Sequence, residues 1–287
     1  MEIPGVSGES GGDLRLNRPW REMTRAELER AYSPSQALPD RDLTPFLERY
    51  EHLSARTYSA LAHIETPQYD LFLPEGPGPF PLMIFYHGGY WQQLGKRDAA
   101  FPAMGAVARG VAFATVDYTL APKASLDQIV EECVEVASNL HTDVQHLNLD
   151  PQKFILAGSS AGAHLAASVC TRLAGQIPIA GTVLLSGVYD LEPLVETYIN
   201  DAVGMDITTA KRNSPILENL SAFPPSIVTW GEVETDAFKR QSRAFAEALP
   251  DAQTFETPGR NHFDIVEDLT SDSLLGRAVF DLFDHLP

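Results

Sequence analysis

Apolar positions along the chain follow two rhythms that take turns. Pro81-Leu82-Met83-Ile84-Phe85-Tyr86 is a continuous apolar run, as a strand covered on both faces requires. Tyr69 to Leu73 alternates as a short strand and stops at Pro74 and a Gly/Pro turn. Val111–Val116, Phe154–Ala157, Ile179–Leu185, Ser226–Trp230 and Gln253–Thr257 predict further strands. Between them, helical spacing covers Asp98–Arg109, Ser125–Leu140, the segment carrying Leu165, Val169 and Leu173, Asp236–Leu249 and Leu274–Phe283. Strands that alternate with helices imply an α/β fold, a mostly parallel sheet with helices on both faces. Ahead of the sheet, Thr24-Arg25-Ala26-Glu27 fits a capping box, so a helix should start there and stop near Ser33-Pro34. A second helical pattern runs from about Thr44 to Ala62. Residues 21–66 are therefore expected to form a helical arm packed on a domain of residues 67–287. Residues 1–20 are Gly/Ser-rich and expected to be mobile. Leu191 to Leu220 has helical pieces but no matching strand, which predicts a cap insertion around 191–220.

Composition narrows the function. The 287 residues can bury one full core, and 39 acidic against 21 basic side chains give a net charge of −18 at pH 7. A chain that acidic lacks the basic footprint of a nucleic-acid or anionic-lipid binder. Cys133 and Cys170 both fall in apolar helical patterns, which excludes a disulfide framework or a cysteine-metal cluster and points to a reducing compartment, the cytoplasm. The opening MEIPGVSGESGGD lacks the basic and apolar regions of a signal peptide. No charge occurs from Phe154 to Thr171, but its glycines, serines and histidine speak for a central strand and its buried helix rather than a membrane span.

The candidate chemistry sits at strand ends, where an open α/β sheet places its site. Phe154-Ile155-Leu156-Ala157 leads into Gly158-Ser159-Ser160-Ala161-Gly162 and then a helical pattern. This strand, turn and helix carry G-x-S-x-G, the nucleophile elbow of the α/β-hydrolase fold. Ser160 is the candidate nucleophile, and the N–H of Ala161 opens a helix N-terminus that favours developing negative charge. A serine hydroxyl needs a base, and His262 in Gly259-Arg260-Asn261-His262-Phe263 follows the last strand. The acid should follow the strand that ends at Trp230; Glu234 stands there, with Glu232, Asp236 and Asp190 as competitors. His87-Gly88-Gly89 follows an early strand and reads as an oxyanion loop, with Gly88 or Gly89 donating beside Ala161 and His87 orienting the loop. His164 reads as a structural histidine, and the remaining histidines show no metal-ligand spacing. Tyr90, Trp91, Tyr189, Tyr198 and Trp230 lie near strand ends and are candidate pocket walls.

These residues resemble a known family. The run HGGYWQQLGKRDAAFPAMGAVARGVAFATVDYTLAPKASL from His87 to Leu126 is similar to animal-type kynurenine formamidases (arylformamidases), as is GSSAGAHLAA at Gly158–Ala167. SGVYDLEPLVET at Ser186–Thr197, RNSP at Arg212–Pro215, FKRQS at Phe238–Ser242 and NHFDIVEDL at Asn261–Leu269 extend the likeness over about Tyr32 to Leu269. The resemblance implies Ser160 as nucleophile, His262 as base and His87-Gly88-Gly89 as oxyanion loop. It implies an acid at Glu234, where the family usually has aspartate, so the loop must retreat by one methylene. It further implies hydrolysis of N-formyl-L-kynurenine to L-kynurenine and formate without cofactor or metal, the partner being a small aryl formamide or ester. The cap at Leu191–Leu220 is expected to set specificity. A carboxylesterase or amidase for another small acyl group is the alternative, and a ligand-binding protein without turnover a more distant one. The oligomeric state is left open, a homodimer included.

Overall fold

The computed structural model describes residues 18–286. Of the stretch expected to be mobile, residues 1–17 lie outside the described residues. Eight segments pair into one sheet: β1 (His63–Glu65), β2 (Tyr69–Phe72), β3 (Phe80–Tyr86), β4 (Ala112–Val116), β5 (Leu149–Ser159), β6 (Gly181–Leu185), β7 (Ser226–Val233) and β8 (Ala252–Asn261). Their order across the sheet is β1-β2-β4-β3-β5-β6-β7-β8. At one edge β1 pairs with β2 and β2 with β4 antiparallel, and the remaining pairings, from β4 through β3 to β8, are parallel. From β3 the chain steps to β4 on one side and then to β5 on the other. The order therefore reverses at β3, and the carboxyl ends of β3 and β5 flank the crevice where such sheets hold ligands.

The continuous apolar runs have the expected cause. Leu82, Ile84 and Tyr86 pack with Leu156 on one face, while Met83 and Phe85 pack with Ile155, Ala157, Val183 and Leu185 on the other. Side chains alternate, yet both faces are covered, so no polar position interrupts the run. The capping box at Thr24 forms and starts the helix Arg25–Ala31. Ser125 likewise caps Leu126–Thr142, whose buried residues are Leu126, Ile129, Val130, Cys133, Val136, Ala137 and Leu140.

Two elements differ from the expectation. The helix expected over Asp98–Arg109 forms only as Ala103–Ala108, with Pro102 at its N-cap. Proline disfavours helical geometry in the residue before it, so Phe101 cannot continue a helix into that turn. The helix Thr44–Ala60 ends two residues early, and the chain then enters edge strand β1. Three half-polar residues carry no period by which a strand could be read. The segment 21–66 thus contributes a strand as well as helices. It lies over the carboxyl ends of the sheet, held by Arg49 to Glu267 at 2.6 and 2.7 Å, by the Tyr90 hydroxyl on the Tyr32 carbonyl at 2.6 Å, and by the Thr235 hydroxyl on the Ala31 carbonyl at 2.6 Å.

Under this arm, β2 buries a charge. Asp70 has no exposed surface and accepts from Lys96 Nζ at 2.9 Å and from the Tyr58 hydroxyl at 2.6 Å. Lys96 also donates to the carbonyl of Thr66. Removing one partner strands the other charge in the interior, which costs about 3–5 kcal/mol. Lys96→Met should lower the urea midpoint by that equivalent; a change below about 1 kcal/mol would mean that water reaches Asp70.

Candidate active site

The elbow is built from close backbone approaches. Ser160 sits between β5 and the helix Ala161–Leu173 with φ 58° and ψ −121°. An L-residue adopts that conformation only where its surroundings hold it, at a cost of about 1–3 kcal/mol. Here the Ser160 N–H donates to the Leu185 carbonyl of β6 at 2.8 Å. A Cβ on Gly158 would overlap the Gly162 carbonyl, and one on Gly162 would overlap the Tyr86 carbonyl. Both glycines are needed because helix, elbow and β3 meet backbone to backbone.

Glu234 and His262 come from neighbouring strand ends. β7 and β8 pair in parallel with a register shift between Gly231 and Val233. Gly231 lies so close to Arg260 that a Cβ there would overlap the Arg260 carbonyl. The two loops are thereby drawn together, and His262 Nδ1 donates to Glu234 Oε2 at 3.0 Å. Both side chains are almost wholly enclosed. The other carboxylate oxygen accepts from the Gly231 N–H at 2.6 Å and from the Ser186 hydroxyl. The longer acid therefore keeps its contact with the histidine. Of the competitors, Glu232 accepts from the Gly259 N–H at 2.7 Å and Asp236 begins the helix Asp236–Ala248. Asp190 lies 3.7 Å from Arg18, so none of the three meets His262.

Register places the glycine loop beside the elbow, since Tyr86 of β3 pairs with Gly158 of β5. Gly88 packs against Ser159 and Ser160, and Gly89 has φ 91°, where its missing Cβ makes room for the Gln93 carbonyl. Among the described residues no backbone hydrogen bond takes up the N–H of Gly88, Gly89 or Ala161. His87 is buried, stacked on Tyr118 with ring centroids 4.2 Å apart. Its Nδ1 lies 2.9 Å from the Gly88 carbonyl and 3.0 Å from the Tyr118 hydroxyl. Burial lowers its pKa to about 4, with the Gly88 carbonyl opposing, so His87 is uncharged at neutral pH. His164 is equally buried, donates Nε2–H to the Asn213 carbonyl at 2.7 Å, and is held near pKa 4 by the same cause.

Ser160, His262, Gly88 and Gly89 line one cavity of about 230 Å³. Tyr90 and Tyr198 line it too, but Trp91, Tyr189 and Trp230 do not. Trp91 has no exposed surface and packs edge-on to the His164 ring at 5.1 Å. Tyr189 stacks on Phe245 at 4.0 Å. Trp230 donates Nε1–H to Glu256 at 3.0 Å under the Arg243 guanidinium. A strand-end aromatic has two faces to choose from, and these three turn to the core.

The expected cap supplies only Tyr198 and Ile199, whereas the arm contributes Pro34, Ser35, Leu43, Leu47 and Tyr50. The insertion is tied away from the mouth. Arg212 and Asn213 bind Asp127 of the helix Leu126–Thr142 at 2.7–3.0 Å, and the Ser214 hydroxyl accepts the Leu191 N–H at 2.8 Å. The RNSP and FKRQS stretches are thus structural latches. Gln241 bridges the N–H groups of Tyr189 and Asp190 at 2.9 Å each. Sequence reasoning singled out neither Ser186, Gly231 nor Tyr118 as site residues. Their only signal was position, one residue past β6, inside β7 and shortly after β4.

Among the described residues no helix is long and apolar enough to cross a membrane. A profile for the alpha/beta hydrolase fold matches residues 83–262. The kynurenine formamidase of Danio rerio is 32% identical over 282 residues, covering 89% of this chain and 95% of its own. That of Salmo salar is 30% identical over 277 residues, covering 87% and 93%. The crystal structure of a Silicibacter sp. TM1040 protein described as a thioesterase is similar with a TM-score of 0.79 at 27% identity, over 88% of this chain and 99% of that one. The chain is a hydrolase acting on amide or ester bonds, and it belongs to the kynurenine formamidase family of α/β hydrolases.

Proposed function

We propose that this enzyme hydrolyses the formamide of N-formyl-L-kynurenine to L-kynurenine and formate, a step of tryptophan catabolism, with Ser160, His262 and Glu234 as its triad. The observation that carries this reading is His262, backed by the enclosed Glu234, lining the same cavity as Ser160 and the glycine loop. The walls suit an aryl group, since Phe85, Phe101, Phe263 and Tyr50 line them. The two free thiols fit a cytoplasmic setting.

Ser160 Oγ attacks the formyl carbon while His262 takes its proton. Glu234 fixes the histidine tautomer and stabilises the imidazolium that forms. The carbonyl electron pair moves onto oxygen, where the N–H groups of Ala161 and of Gly88 or Gly89 receive it. The aniline nitrogen is a poor leaving group, so the imidazolium protonates it as the C–N bond breaks. A formyl ester remains on Ser160. Water, deprotonated by His262, attacks that ester, and collapse releases formate and returns the proton to Ser160. The formyl carbon bears only hydrogen, so both attacks are unhindered.

Steady-state kinetics on N-formyl-L-kynurenine, beside p-nitrophenyl acetate and butyrate, test the substrate. A kcat/KM of about 10⁴ M⁻¹s⁻¹ or more on the formamide, exceeding that on the esters, supports the reading. Turnover of the esters alone would assign the site to a carboxylesterase.

A further inference from the structure

Three consecutive charged residues between β3 and the helix Ala103–Ala108 go three different ways. Lys96 turns inward to Asp70 at 2.9 Å. Arg97 pairs with Glu65 at 2.6 Å and lies over the Tyr58 ring at 4.5 Å. Asp98 lines the cavity, and it is the one Asp, Glu, Lys or Arg among the described lining residues. Its backbone is fixed, the N–H donating to the Gly95 carbonyl at 3.0 Å and the carbonyl accepting from the Ser54 hydroxyl at 3.0 Å. Its carboxylate has no ion-pair partner among the described residues, because both adjacent cations are committed elsewhere.

An unpaired carboxylate is ordinary on the surface of so acidic a chain. Asp98 differs because it is partly buried on the wall of a largely apolar cavity. Burial raises its pKa, the Gly95 backbone opposes this, and the negative charge of Glu51 adds to it. A half-buried charge without a partner is costly, and a ligand cation would relieve that cost.

We propose that Asp98 receives a primary ammonium carried by the aryl side of the substrate, so that the enzyme selects ammonium-bearing aryl substrates over neutral ones of the same shape. This rests on the assignment of the Ser160 cavity as the reaction site. The α-ammonium of N-formyl-L-kynurenine is a group of this kind. A charge-assisted hydrogen bond in a partly buried site corresponds to a preference of about 10–100-fold.

Two matched pairs test it. The first is 2-(3-aminopropanoyl)formanilide against 2-butanoylformanilide; the second is the two phenyl acetates with the same ring substituents. The wild-type enzyme should prefer the ammonium member in kcat/KM by about 10-fold or more. Asp98→Asn should raise KM by about 10–100-fold more for that member than for the neutral one, with the loss in KM rather than in kcat. Asp98→Glu, which keeps the charge, should retain part of the preference. Equal losses on both members of a pair would make Asp98 a structural residue and overturn the proposal. A wild-type enzyme without the preference overturns it with no variant needed. If only the acetates turn over, the formamidase reading fails while the acetate pair still decides the role of Asp98.

Discussion

Ser160→Ala should lower kcat by at least about 10³-fold, toward 10⁶-fold, while the thermal melt should stay within a few degrees of wild type. The large effect follows from the elbow. Ser160 is held at φ 58° by its N–H on Leu185 and by glycine contacts on both sides, so no neighbouring hydroxyl can swing into its place. Ser159 also lines the cavity, but it ends β5 and its backbone follows the strand. The small effect on stability has its own cause, since the variant loses one oxygen and keeps the backbone. Turnover of the purified variant, measured beside its melt, checks both statements. Activity within tenfold of wild type would remove the serine mechanism altogether.

Glu234→Gln should lower kcat by about 10³–10⁴-fold, and Asp236→Asn should leave it within about twofold. The first effect has two sources. A glutamine neither holds the histidine in the required tautomer nor stabilises the imidazolium, and such an acid-to-amide change lowers kcat by about 10⁴-fold in a serine triad. It also cannot satisfy its surroundings. Glu234 accepts from three donors, the Gly231 N–H, the Ser186 hydroxyl and His262 Nδ1–H. One of these must face the amide NH₂ of the variant, which turns the histidine or leaves a buried donor unpaired. Asp236 stands in the first helical turn of Asp236–Ala248, where a carboxylate stabilises the helix by about 0.3–1 kcal/mol and touches no part of the cavity. Measured kcat values for the two variants decide between them, and the reverse order would move the acid to Asp236.

The arm changes how specificity is understood in this enzyme. Helix Thr44–Ala60 and the turn before it wall the cavity, and their anchors are few and specific. Arg49 reaches Glu267, the Ser33 hydroxyl meets the Tyr198 hydroxyl at 2.9 Å, and the Tyr50 hydroxyl donates to the Phe263 carbonyl beside His262. The last of these links the arm to the loop that carries His262, the proposed base. Substitutions at Leu43 or Leu47, which line the cavity, should therefore act on what enters it, whereas substitutions in the RNSP latch should act on stability.

Local pattern determined the elements and the chemical groups. Strands β3 to β7 announce themselves because burial on both faces forces apolar runs, and the elbow does so because only glycine fits two residues either side of Ser160. Glu234, His262 and the glycine loop were legible as candidates for a related reason, as each lies within a few residues after a strand in a fold that gathers its chemistry at strand ends. Tertiary structure decided everything that depends on which face a side chain takes or which segments meet. It turned Trp91, Tyr189 and Trp230 into the core, and it tied the 191–220 insertion to Asp127. It set the arm over the cavity and brought Ser186 and Gly231 to the second oxygen of Glu234. Those contacts join residues far apart in the chain through hydrogen bonds and close packing. They leave no period in the sequence, because a single donor or a single glycine at the right distance is enough.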